Sequence, residues 1–205
     1  MGRHSRENAR TLYDIASAQG GYFTAAQARQ AGYAYSQQHF HVTRGNWLRI
    51  DRGIFRLRDF PPAEREDLIR WSLWSRDRRG IPQAVVSHET ALAIHELSDV
   101  MPAWIHLTVP PGFRKETPHG VLLHTAKLAP GDTQARAGYQ VTTPLRTLLD
   151  VAASALSQEH LNQAVRQALE RGLVRRSLLQ NAACQPEARR RLDRALVAAQ
   201  EEWAK

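Results

Sequence analysis

An α+β fold is what this 205-residue sequence predicts, and three observations predict it. Between residues 23 and 58, two short capped helices separated by a glycine-containing turn run directly into a hairpin pattern. Between 84 and 142, short apolar strands surround one capped helix. From Thr143 onward, apolar residues recur at helical spacing. The first observation is the layout of a helix-turn-helix with a wing. The expected architecture is therefore an N-terminal winged helix-turn-helix over residues 1–60, followed by a mixed domain over 61–205. That second domain carries a small sheet and several helices, and residues 61–80 form a connecting helix.

The elements follow in order. Residues 5–19 read as a helix capped by Ser5, with Ala9, Leu12, Tyr13 and Ala16 on one face, and Gly20-Gly21 break it. Thr24 caps a second helix over 25–31, and Gln27 stands at the reciprocal capping-box position. Phe23 and Ala28 form a weak staple, and Gly32 ends the helix where a positive φ costs little. After the turn at 32–35, Ser36 is the expected cap of a third helix, with Tyr35 and Phe40 as an aromatic staple and Gly45 as the stop.

Strand-like runs at 47–50 and 54–57 flank Arg52-Gly53. A two-residue loop there pairs Asp51 with Ile54, Ile50 with Phe55, Arg49 with Arg56 and Leu48 with Leu57. Leu48, Ile50, Phe55 and Leu57 then share one face, and Arg49 stands opposite Arg56 on the other. Like charges directly across a ladder are destabilising, so such a face implies an anionic partner.

Asp59-Phe60-Pro61-Pro62 signals a hinge. The helix expected over 63–79 carries Leu68, Ile69, Trp71, Leu73 and Trp74, an apolar surface suited to packing between two domains. Residues 84–86 read as a short strand. Ser87 caps a helix over 88–97 with Glu89 in its first turn, where the helix dipole favours a negative charge. Further strands are expected at 104–109, 121–128 and 138–142. Thr143-Pro144 starts an amphipathic helix, and Ser157 caps the next, which ends at Gly172. A short helix at 176–183 and a last one opened by Pro186, with Leu192, Ala195, Leu196, Ala199 and Trp203 on one side, complete the chain.

Composition narrows the function. The net charge of +8 and pI near 10.3 favour a polyanion, nucleic acid before anionic membrane. Cys184 is the single cysteine, which excludes an intrachain disulfide and a cysteine-only metal site and suits a reducing cytoplasm. No apolar run approaches the roughly 20 residues of a spanning helix, and the N-terminus leads into no signal-like apolar segment.

The face of the third helix is the expected reader of double-stranded DNA. Gln37, His41 and Arg44 fall at i, i+4 and i+7, with Gln38 beside them and Ser36 at the start. Gln suits a bidentate pair with adenine, and Arg with guanine. Arg49, Arg52 and Arg56 are the expected phosphate or minor-groove contacts.

Other candidates carry less. His88 and His95 lie seven apart, but the i+4 position that a zinc-protease helix needs is Leu92, so a structural or interface role is expected. His106 and His124 either face one another across the sheet or point outward. No phosphate-binding loop, dinucleotide fingerprint or nucleophile elbow is present. No enzyme activity, metal or cofactor is therefore expected. Arg189, Arg190, Arg191 and Arg194 read equally as a solvated helix surface or as a second anion patch.

These residues resemble a known family. Residues 23–28, and then Arg44-Gly45-Asn46-Trp47-Leu48-Arg49-Ile50-Asp51-Arg52-Gly53-Ile54-Phe55-Arg56-Leu57, are similar to the N-terminal winged helix of AbiEi-type antitoxins of type IV toxin–antitoxin systems. Phe55 stands where that pattern commonly has Tyr. Residues 86–92, 105–110 and 143–150 resemble the family's C-terminal region. The resemblance implies a repressor that binds inverted repeats in its own promoter, and a C-terminal domain that counters a nucleotidyltransferase-class toxin. An effector-responsive regulator is the alternative from the residues themselves, with a nucleic-acid-cleaving enzyme behind it.

Overall fold

The computed structural model describes residues 3–203 and divides into two compact units, Met1–Ala84 with Ala135–Tyr139, and Val85–Gln134 with Gln140–Lys205. It is an α+β chain with a winged helix followed by a mixed unit. No described helix is long and apolar enough to cross a membrane.

The first unit contains α1 (Arg3–Ser17), β1 (Tyr22–Thr24), α2 (Ala25–Gln30), α3 (Tyr35–Thr43), β2 (Trp47–Asp51), β3 (Ile54–Leu57) and α4 (Glu66–Trp74). The strands form an antiparallel sheet in the order β1-β3-β2. Strand β1 is additional to the hairpin read from sequence. Its Phe23 pairs with Phe55 and meets Trp47 edge to face at 4.9 Å. Phe23, Trp47 and Phe55 join Leu12, Ala16, Ala28 and Tyr33 in one core. The opposite sheet face packs Tyr22 and Ile54 on Ile69 and Leu73 of α4. Helix α4 is thus an integral layer of this unit. It is also shorter than the helix expected over 63–79, beginning after Arg65 rather than at the prolines.

The Thr24 capping box forms as expected. Thr24 Oγ1 accepts from Gln27 N at 3.2 Å, and Gln27 Oε1 accepts from Thr24 N at 2.9 Å. Such a cap contributes about 0.5–2 kcal/mol. The α3 start differs from expectation. Ala34 occupies the cap position, Ser36 falls inside the first turn, and the Gln37 side chain accepts from Ala34 N at 2.8 Å. Gly32, at φ +93°, closes the turn with the Asn8 side chain packed where a Cβ would stand.

The second unit holds β4 (Val85–Val86), α5 (His88–Ile94), β5 (Ile105–Val109) and β6 (Val121–Thr125), then the hairpin β7 (Thr133–Arg136) and β8 (Tyr139–Thr142), whose turn residues group with the first unit. The sheet order is β6-β5-β4-β8-β7, with β5 and β6 parallel. Helices α6 (Pro144–Ala152), α7 (Gln158–Glu170), α8 (Arg176–Asn181) and α9 (Pro186–Trp203) follow. Thr143 and Ser157 cap α6 and α7 as their positions predict. Leu148, Val151, Leu161, Val165, Leu192 and Leu196 join Leu92 and Leu97 in one core. The side chain of Trp203 lies outside the described residues.

Part of the arginine run on α9 is absorbed by the fold. Arg191 donates to the carbonyls of Ala152, the last residue of α6, and of Ser154 and Leu156 beyond it, and Arg189 to Ala182 O and Asp193. Arg190 and Arg194 remain exposed.

Candidate nucleic-acid interface and a histidine cavity

Helix α3 is the polar helix of the first unit, and its orientation is set by three residues. Gln38 is buried, and its amide donates to Ala25 O at 3.1 Å and Tyr33 O at 3.0 Å. It locks α3 against α2 and cannot read a base, which corrects the sequence expectation. His41 is half-buried, stacks on Trp47 at 4.7 Å and 14°, and pairs its Nδ1 with the Asn46 amide at 3.1 Å. Burial pushes the His41 imidazole below its ordinary range. Val42 packs on the same core.

The outer face therefore presents Tyr35, Ser36, Gln37, His39, Phe40 and Arg44. Tyr35 and Phe40, expected to staple the helix, are 65% and 52% exposed. Each lies against a cation: Arg29 is 5.5 Å from the Tyr35 ring centre and Arg44 is 5.4 Å from that of Phe40. From sequence, Tyr35 and Phe40 read only as a staple, and neither they nor His39 and Arg29 are placed on the outer face. The missed signal was the phase: once Gln38, His41 and Val42 point inward, Phe40 must point out.

The hairpin register also differs from expectation. A bulge between Arg49 and Asp51 shifts the ladder, so Trp47 pairs with Leu57, Leu48 with Arg56 and Arg49 with Phe55, while Asp51 keeps Ile54. Arg49 and Arg56 consequently occupy opposite faces, and no like-charge pair forms. Arg49 shares the Trp47 face and is exposed, as is Arg52 in the turn. Asp51 anchors that turn, accepting from Arg52 N at 2.6 Å and from Arg70 at 2.9 Å. Those donors hold its carboxyl below the usual carboxylate range.

Arg56 is a second correction. It is 8% exposed, donates to Phe60 O at 2.7 Å and pairs with Glu66 at 3.3 Å. It is a structural cation because α4 covers the face on which it lies. Arg58, outside the expected set, is exposed and donates to Gly45 O at the end of α3.

The second unit carries a cavity of about 330 Å³ lined by His88, Glu89, His106, Leu122, His124 and Asp150, with residues 153–155. His106 and His124 do face one another: Nδ1 of the first lies 3.1 Å from Nε2 of the second. The His88 ring stacks on His124 with centres 3.5 Å apart. His88 holds φ +50°, an uncommon conformation for a residue with a Cβ. Burial, reinforced by the neighbouring imidazoles, pushes His88 down to about 3 and His124 down to about 4, and burial also lowers His106. Burial raises Asp150 to about 6 against the opposing pull of Arg146, whose Nε lies 2.8 Å from Oδ1. Asp150 Oδ2 has no hydrogen-bond partner. His95, by contrast, is a tie within the fold, its Nε2 lying 2.7 Å from Thr142 O.

No family model matches the chain, and no curated protein does. Among solved structures it is similar to the RV2827C protein from Mycobacterium tuberculosis, at 14% identity and a TM-score of 0.49. That alignment covers 95% of this chain and 77% of the other.

Proposed function

We propose that this protein is a non-enzymatic, DNA-binding transcriptional repressor that serves as the antitoxin of a type IV toxin–antitoxin pair in the cytoplasm. The observation that carries the reading is the outer face of α3, polar and aromatic along its length, in a unit whose hairpin exposes Arg49 and Arg52. Residues 1–58 hold nine arginines against three carboxylates, most of the chain's cationic excess. Ser36, Gln37 and Arg44 contact base edges, Phe40 meets a thymine methyl, and Arg49 and Arg52 hold phosphate or minor groove. His41 and Gln38 support this face from behind. The C-terminal unit counters a nucleotidyltransferase-class toxin.

Fluorescence anisotropy with the chain's own promoter duplex and a scrambled duplex tests the DNA reading. Tighter binding to the promoter is expected, and Arg44→Ala should relax the preference by about 1–3 kcal/mol at one base pair. Equal affinity for both duplexes would remove the repressor role. Co-expression with a nucleotidyltransferase encoded beside it should restore growth, and failure to do so would remove the antitoxin role alone. The cavity in the second unit favours a second reading, an effector-responsive regulator, for which a small ligand should release the operator.

A further inference from the structure

We propose that His88, His106 and His124 form a binding site for a divalent transition metal, Zn²⁺ foremost, whose fourth coordination position opens into the cavity of the second unit. The three residues come from the first turn of α5, from β5 and from β6, and one candidate donor nitrogen of each lies within 4.8 Å of the others. The parallel pairing explains the convergence: His106 pairs with Leu122 and Thr108 with His124, so both histidines stand on the same sheet face two residues out of step. Zn–N bonds of about 2.0–2.1 Å place two tetrahedral donors about 3.3 Å apart. The 3.1 Å between His106 Nδ1 and His124 Nε2 is close to that spacing.

Two of the remaining ring nitrogens have neighbours suited to this arrangement. His88 Nδ1 lies 3.0 Å from Ser87 Oγ, which leaves Nε2 as its donor to a metal once the ring turns out of its stack on His124. Ser87 Oγ is itself fixed by the Thr108 hydroxyl at 2.8 Å. His106 Nε2 lies 3.8 Å from Glu89 Oε2. A carboxylate hydrogen-bonded to the far nitrogen of a metal-bound histidine fixes its tautomer and raises its basicity, and Glu89 would be that positioning residue by closing the 3.8 Å gap when the ion binds. Three neutral imidazoles select Zn²⁺, Cu²⁺ or Ni²⁺ over Mg²⁺ or Ca²⁺, which take oxygen donors. Three nitrogen donors with an open position are also the pattern that leaves room for water or an anionic ligand. Asp150 lines the same cavity, with its Oδ1 held by Arg146.

The test uses the full chain without a polyhistidine tag, stripped with chelator and loaded with Zn²⁺, then passed through gel filtration for metal analysis. One Zn²⁺ per chain is expected for the wild type and for His4→Gln, an exposed histidine of α1. His106→Gln and His124→Gln should each lose the stoichiometric ion, and Glu89→Gln should bind about 10–100-fold more weakly by titration calorimetry. Co²⁺ loaded into the wild type should give the intense visible bands of a tetrahedral ion. That readout stands even if a variant fails to fold. The proposal is overturned by a wild type that retains no ion, by retention unchanged in both histidine variants, or by a weak octahedral Co²⁺ spectrum.

Discussion

Arg49 and Arg56 stand seven residues apart on one hairpin and should fail in different ways when replaced. Arg49 and Arg52 are exposed, whereas the Arg56 side chain is 10% exposed beside Glu66 and Phe60 O. Each arginine that neutralises one phosphate contributes about −0.9 to the slope of log affinity against log salt, so the Arg49→Ala, Arg52→Ala double variant should flatten the slope by about 1.8. Between 50 and 200 mM salt the wild type should then lose about tenfold more affinity than the double variant. Arg56→Ala should leave the slope of the folded protein alone and lower stability instead. It takes the cation from the Glu66 carboxylate, which is about a third exposed and keeps the Tyr22 hydroxyl and Ala63 N, and it leaves Phe60 O without its side-chain donor. The cost should be about 2–3 kcal/mol, less than for a fully buried pair. For a unit of this size that corresponds to a fall in Tm of roughly 10–20 °C. Anisotropy titrations at several salt concentrations read the slope, and circular dichroism melts read the stability. If Arg56→Ala flattens the slope at unchanged Tm, or the double variant leaves the slope intact, the assignment of charge to surface and fold is wrong.

Gln38→Leu should destabilise the first unit by about 1–3 kcal/mol in denaturant melts, because Ala25 O and Tyr33 O lose their donor. Base preference of the folded variant should be unchanged, and a shifted preference at full stability would return Gln38 to the DNA face. Tyr22 is buried and donates to Glu66 at 3.0 Å, and that burial and hydrogen bond raise its phenol to about 12. The unfolded chain ionises this group near pH 10, so stability should fall between about pH 10 and pH 12, by up to roughly 2–3 kcal/mol. Urea midpoints across that range should be flatter in Tyr22→Phe than in the wild type, and parallel curves would refute the assignment.

Much of the fold was legible because its signals are local. The Thr24–Gln27 capping box, the Thr143 and Ser157 caps and the glycine stops act within four residues, so neighbouring side chains suffice to read them. The candidate DNA face was legible only in part. Its helix and hairpin were placed correctly, yet Gln38 and Arg56 were assigned to solvent. A one-residue bulge and a rotation of α3 about its axis are not written in local spacing.

By itself the sequence determined the helix starts that carry a local cap, at Thr24, Thr143 and Ser157, where the hairpin turns, and that the first 58 residues carry an excess of arginine. Only the tertiary structure decided which side of each element meets water. Helix α4 covers the second face of the sheet, which turns Arg56 from a surface charge into a buried one. The histidine cluster depends on tertiary structure entirely. Residues 88, 106 and 124 lie eighteen apart on a helix and two parallel strands, and only that pairing brings their nitrogens together.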